Sequence, residues 1–222
     1  MERVIRVTGR GKISVKPDTI RLSISATRVC KEFGDDVKAS ADDTSVLRET
    51  IEKAGLNPTD LKTTRFNIDS EYEGYHDKKG DYRRRHVGYR YNHNLYVQFP
   101  NDNEQLGRVL YELANCEVTV EFSIRHTVKD VEAVKNELLG NAVEDSRAKA
   151  EVLSKSAGVS LGEIKTIDYS WGELEIYTQP IDRMMVMENH KYLAAPGSYD
   201  IDIEADDIDV QDTVTVVWEI NN

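Results

Sequence analysis

The feature that most narrows the fold is a helix stop that occurs twice. After Asp130, the residues Val131, Val134, Leu138, Ala142, Ser146, Lys149 or Ala150, Leu153 and Ala157 recur at three- and four-residue steps, and Glu132, Lys135, Glu137, Glu144, Arg147 and Glu151 fill the other faces. That period is an amphipathic α-helix with one buried stripe. Small residues at the centre of the stripe (Ala142, Ser146, Ala150) let the helix lie close against a sheet. Asp130 is the expected N-cap. Gly158 ends the helix, because glycine takes the left-handed conformation without a Cβ clash. The stretch from Ser156 to Thr166 then repeats the plan of Lys53 to Thr63, its glycine 158 − 55 = 103 positions further on. Each copy reads helix, Ala-Gly, apolar residue, three spacers, acid, apolar residue, Lys-Thr, strand. Two diverged β-α-β halves are expected.

The remaining segments fit around this duplication. Ile5 and Val7 share a face of a first strand, and Gly9-Arg10-Gly11 reads as a bend. Ile20, Leu22, Ile24 and Ala26 alternate with polar residues, the period of a strand with one buried and one wet face. The two runs suggest a hairpin about the glycines. A helix from Gly34 to Ala54 follows. Strands from Leu61 to Tyr75 and from Arg84 to Phe99 enclose a turn at residues 76–81 and form a long hairpin with a charged, projecting tip. A short helix capped within Asn101-Asp102-Asn103, a strand from Val118 to Ile124 and the long helix come next. Residues 172–209 lack regular patterning and read as an excursion, functional or linker-like. Val214, Val216, Trp218 and Ile220 mark a final, central strand. One domain over residues 1–222 is expected, its halves at about 1–100 and 101–222.

Several function classes are disfavoured by residue content. A net charge of −11 opposes nonspecific binding to nucleic acid or anionic membranes. No apolar run reaches the ~20 residues of a membrane span. The N-terminus enters a strand pattern at once and lacks the apolar core and small-residue cleavage site of a secretory leader, so a cytoplasmic location is expected. Cys30 and Cys116 make no disulfide framework and read as ordinary thiols. There is no G-x-S-x-G, P-loop or G-x-G-x-x-G. The histidines (76, 86, 93, 126 and 190) show no ligand spacing. The acidic run from Asp200 lacks the glycine and glutamate that a calcium loop requires, with Ala205 and Gln211 in their places. No catalytic residue, metal or cofactor is assigned.

The one concentrated basic spot is the hairpin tip. Lys78, Lys79, Arg83, Arg84, Arg85 and Arg90 are interleaved with Tyr75, Tyr82, Tyr89 and Tyr91. Arginine and tyrosine are enriched in binding hot spots, and such a tip can dock on an acidic patch of a second copy, such as Asp200 to Asp212. Met184, Met185 and Met187 offer a second, adaptable contact surface. The candidate interaction residues are therefore Lys78, Lys79, Tyr82, Arg83, Arg84, Arg85, Tyr89, Arg90, Tyr91, Met184, Met185 and Met187. The same tip could instead contact nucleic acid, and the 171–209 segment could border a ligand or enzymatic cleft.

Scattered motifs, taken in order, resemble the SIMPL-domain family of YggE-like proteins. They are Val7-Thr8-Gly9-Arg10-Gly11, Val15-Lys16-Pro17-Asp18, Ala54-Gly55-Leu56 with Asp60-Leu61-Lys62-Thr63, Gly88-Tyr89-Arg90-Tyr91, and Ser146 to Leu153. Ala157-Gly158-Val159, the methionine cluster and Val214 to Ile220 complete the set. The resemblance implies an α+β fold, no established catalytic residues, loosely stated stress-related or scaffold-like roles and higher oligomers. The chain departs in lacking the family's envelope signal and the Pro-Gly before its last strand, having Ala205-Asp206 there. The reading is then an α+β protein with a mostly antiparallel sheet, two long helices, one short helix and a projecting hairpin. Its expected role is non-enzymatic, through homo-oligomerisation or a protein partner.

Overall fold

A computed structural model describes residues 3–169, 176–178 and 197–222. The fold is α+β, with two antiparallel sheets and three α-helices among the described residues. Its elements are β1 (Val4–Val15), β2 (Thr19–Cys30), α1 (Phe33–Lys53), β3 (Lys62–His76), β4 (Tyr82–Pro100), α2 (Asn103–Ala114), β5 (Val120–Thr127), α3 (Val131–Ser156), β6 (Ser160–Asp168) and β7 (Ile208–Asn221). They group into two compact units drawn from interleaved segments rather than from consecutive halves. Unit 1 holds β1, α3, β6 and β7; unit 2 holds β2, α1, β3, β4, α2 and β5.

The duplicated helix stop is one visible part of a duplicated topology. In unit 2, β4 lies between β2 and β3 and is antiparallel to both. In unit 1, β7 lies between β1 and β6 in the same way. Each unit therefore contains a β-α-β-β motif whose last strand is central, but β1 is separated from α3 by the Thr19–His126 segment of unit 2. The two helix ends match bond for bond. Leu56 N–H donates to Ile51 O and Val159 N–H to Ser154 O, while Gly55 N–H donates to Glu52 O and Gly158 N–H to Lys155 O. Gly55 and Gly158 have φ of 85° and 71°, so both are Schellman caps.

Within unit 1 the expected bend at Gly9-Arg10-Gly11 is instead straight strand, and β1 pairs with β7 along its length rather than turning back onto β2. The glycines serve close packing. A Cβ on Gly9 would lie 1.9 Å from Ala142 O and 2.6 Å from Ser146 Cβ, and one on Gly11 would lie 2.1 Å from Leu138 O. The small stripe of α3 thus rests directly on the glycine strand. The buried row is Val134, Leu138, Ala142, Ser146, Ala150 and Ser154. It takes Ala150 rather than Lys149, and Ser154 rather than the half-exposed Leu153. A row of four-residue steps is inclined to the helix axis, which suits a twisted sheet. Asp130 caps α3 by accepting from Ala133 N–H at 2.9 Å. Val7, Val214, Val216 and Trp218 close the core from the sheet side.

In unit 2, Ile20, Leu22, Ile24, Leu95, Val97 and Phe99 meet Leu47 and Ile51 of α1 and Leu106, Val109 and Leu110 of α2 in one apolar cluster. Asp102 caps α2, accepting from Glu104 N–H at 2.9 Å. Gly107 lies close to the Tyr199 backbone, whose N–H donates to Gly107 O at 3.2 Å. Ile201 and Ile203 then pack on this cluster while Asp202 and Glu204 face solvent.

Candidate interaction site

The β3–β4 hairpin leaves its sheet. Pairing of β2 with β4 ends at Cys30 opposite Tyr89. Beyond it, among the described residues, Tyr72 to His76 pair only with Tyr82 to His86. Asp77 organises the turn: its Oδ1 accepts from Lys79 N–H at 2.9 Å and Asp81 N–H at 3.1 Å. The Lys79 N–H is the main cause holding the Asp77 carboxyl below its usual range, with Asp81 N–H and Arg83 adding to it. Gly80, at φ 85°, completes the turn.

The expected basic tip is largely self-neutralised. Arg83 pairs with Asp77 at 3.3 Å, and Arg85 binds Glu73 at 2.6 Å. Arg90 makes a two-pronged contact with Glu71 at 2.9 and 2.7 Å; this bond holds the Glu71 carboxyl below its usual range. From Asp69 to Arg90 there are six Lys and Arg against five Asp and Glu. The acids lay in plain view in the sequence, but only the folded hairpin shows that Glu73 sits opposite Arg85 and that Glu71 and Asp77 lie within reach of Arg90 and Arg83.

What the hairpin exposes is aromatic. Phe33, at the start of α1, meets Tyr89 edge to face at 5.7 Å between centroids. Tyr89 meets His86 at 5.0 Å, and His86 meets Tyr72 at 5.4 Å. The Arg84 guanidinium lies 5.3 Å from the Tyr72 centroid. Tyr82 packs over Gly74 and against His76. Phe33, Tyr72, Tyr75 and Tyr82 are all exposed, Tyr82 at 64%. A bulge that adds Val87 to β4 between the pairs Glu71–Gly88 and Tyr72–His86 brings Tyr89 and His86 onto one row. Phe33 and Tyr72 were not among the sequence candidates; nothing in the spacing links Phe33 to a hairpin far along the chain.

Other candidates separate cleanly. Lys78, Lys79, Arg83, Arg84 and Arg85 are exposed, whereas Tyr89 and Arg90 are half-buried. Tyr91 is wholly buried and donates to Asp43, which also takes Arg28 at 2.6 Å. It is a core residue, because β4 at that point is covered by α1. Burial and then Asp43 push the Tyr91 phenol above its ordinary range. Met184, Met185 and Met187 lie outside the described residues, as does most of the 171–209 segment that would border a cleft.

Cys30 and Cys116 are free thiols. The adjoining Asp36 carboxylate, followed by burial, pushes Cys30 up to about 11, so at neutral pH it is a poor nucleophile. His93 is held neutral chiefly by burial and then by Arg48, between Thr44 Oγ1 at 3.2 Å and Thr63 Oγ1 at 2.8 Å. Among the described residues, no three His, Cys, Asp or Glu side chains are grouped to hold a metal ion. No described helix is long and apolar enough to cross a membrane.

These features define an α+β protein with a nested repeat and an aromatic hairpin face. The chain belongs to the SIMPL family, described as a protein of unknown function (DUF541), whose model matches residues 5–218. It is 28% identical over 218 residues to the 26 kDa periplasmic immunogenic protein of Brucella melitensis biotype 1, covering 97% of this chain and 84% of that protein. The protein of the same name from Brucella abortus strain S19 is 27% identical over equal coverage. Both relatives are named periplasmic, which overturns the cytoplasmic expectation. That expectation rested on the composition of the first residues alone, whereas the likeness to the relatives extends over nearly the whole chain.

Proposed function

We propose that this protein is a periplasmic, non-enzymatic assembly protein that binds a second copy of itself through the β3–β4 hairpin. The observation that carries the reading is the row Phe33, Tyr89, His86 and Tyr72, continued by Arg84, in which all but the half-buried Tyr89 are exposed. Aromatic surface beside arginine suits a protein interface, because large rigid rings contribute contact area at low entropic cost. Ion pairing of Arg83, Arg85 and Arg90 within the hairpin favours a protein contact over nucleic acid, since those cations already have carboxylate partners. The relatives' names support the periplasmic placement.

The test is size-exclusion chromatography with light scattering on the wild type, on Tyr72→Ser/Tyr75→Ser and on Arg83→Glu/Arg84→Glu/Arg85→Glu. Both variants should shift a multimer toward the monomer mass while retaining the wild-type circular dichroism. Multimers of unchanged mass in both variants would remove the hairpin from the interface.

A further inference from the structure

The outer face of β1 contrasts with the hairpin. Arg6, Thr8, Arg10 and Lys12 point away from the α3 side, and their partners on β7 are Val217, Thr215, Thr213 and Gln211. No acid stands opposite any of these three cations. Beside the free edge of the strand, α3 presents Asn141, Asp145 and Lys149 at four-residue steps. They cap the edge: Asp145 accepts from Arg10 N–H at 2.7 Å, Lys149 Nζ reaches Thr8 O at 3.4 Å, and Asn141 Nδ2 reaches Lys12 O at 3.5 Å. Asp145 also holds Lys149 Nζ at 2.7 Å, so its charge is already engaged. Around these groups lies an open groove of about 740 Å³, lined by Thr8, Arg10, Lys12, Asn141, Lys149 and Thr213 together with Asp145.

We propose that this groove binds a phosphate-class oxyanion. Three cations face it against one engaged carboxylate, in a chain whose net charge is −11. The Arg10 fork matches two oxygens of a tetrahedral anion, Lys12 supplies a point charge, Lys149 adds the charge it shares with Asp145, and the Thr213 hydroxyl is a neutral donor. The groove has room for the phosphate and part of the group that carries it. That group is either a small soluble phosphate or a phospholipid headgroup; the recognition chemistry is shared.

Isothermal titration with pyrophosphate at 50 mM salt, alongside co-sedimentation with vesicles of phosphatidylcholine and phosphatidylglycerol, tests the site. Saturable pyrophosphate binding at one site per chain is expected. Arg10→Gln and Lys12→Gln should each weaken it about tenfold, in line with loss of a charge-assisted bond. Asp145→Asn should tighten it several-fold, because it removes the one negative charge and keeps an acceptor for Arg10 N–H. Thermal melts show which variants remain folded. Pyrophosphate binding without vesicle binding assigns a soluble ligand; vesicle binding lost in Arg10→Gln/Lys12→Gln assigns the headgroup. Absence of both, or binding that neither Arg10→Gln nor Asp145→Asn changes, overturns the proposal.

Discussion

Gly9→Ala tests whether α3 rests on the backbone of β1. The added Cβ would sit 1.9 Å from Ala142 O, where ordinary contact begins near 3.4 Å. The two nearest atoms, Ala142 O and Ser146 N, are backbone and the third, Ser146 Cβ, is fixed by the backbone, so no side-chain rotation relieves the clash; the helix and strand must separate by about 1.5 Å locally. A gap of even 0.5–1 Å forfeits roughly a quarter to a half of each dispersion contact along it. Overpacking typically costs about 1–3 kcal/mol, and a backbone-to-backbone clash belongs at the upper end, about 3 kcal/mol. For a chain of this size that is a fall in melting temperature of about 6–12 °C. Gly140→Ala is the matched control: it lies in the same helix with nothing within 4 Å of its Cβ position, and should stabilise by about 0.5–1 kcal/mol through helix propensity alone. Urea and thermal unfolding followed by circular dichroism read both. Gly9→Ala within about 0.5 kcal/mol of wild type would refute the close-packing argument.

Three further outcomes are expected. Asp130→Ala should cost about 1 kcal/mol, since it removes the acceptor for Ala133 N–H; urea midpoints check it. On the acid side, burial depresses the pKa of His93 and His126 below the ordinary 6.5. The unfolded chain then binds protons first as pH falls, so their contribution is present above about pH 6.5 and lost below it; His93→Gln should lose less between pH 7 and 5 than wild type. The Cys30 thiol, raised from 9.0 to about 11, should alkylate slowly at pH 8, and Asp36→Asn should accelerate it, as read by mass spectrometry of the Cys30 peptide.

Local signals carried the secondary structure because each element had a strong period or a cap. The two Ala-Gly stops, the Asp130 and Asp102 caps and the alternation of Ile20 to Ala26 all specify their elements through neighbours in sequence. Gly9 and Gly11 did not, because a glycine pair reads equally as a bend or as a site of close packing. Only the position of α3 decides between them, and that is a contact between residues more than a hundred positions apart. The nesting of the repeat was hidden for the same reason: β1 lies far in sequence from the helix with which it pairs in its motif. The hairpin itself was legible as a projecting element, but the character of its surface was not. Spacing showed a basic cluster; register turned Arg83, Arg85 and Arg90 into ion pairs and left the aromatic row exposed. Tyr91 belonged to the same alternating run as Tyr89, and only the cover of α1 separates a core phenol from a half-buried ring.

Sedimentation equilibrium of the wild-type chain at micromolar concentrations, at 50 and 500 mM salt, bears most directly on assembly through an aromatic, internally ion-paired hairpin. The expected result is a mass that is a multiple of 25.3 kDa and that persists at high salt, because ring packing is not screened. A mass of 25.3 kDa at every concentration, or a multimer that dissolves at high salt, would contradict it.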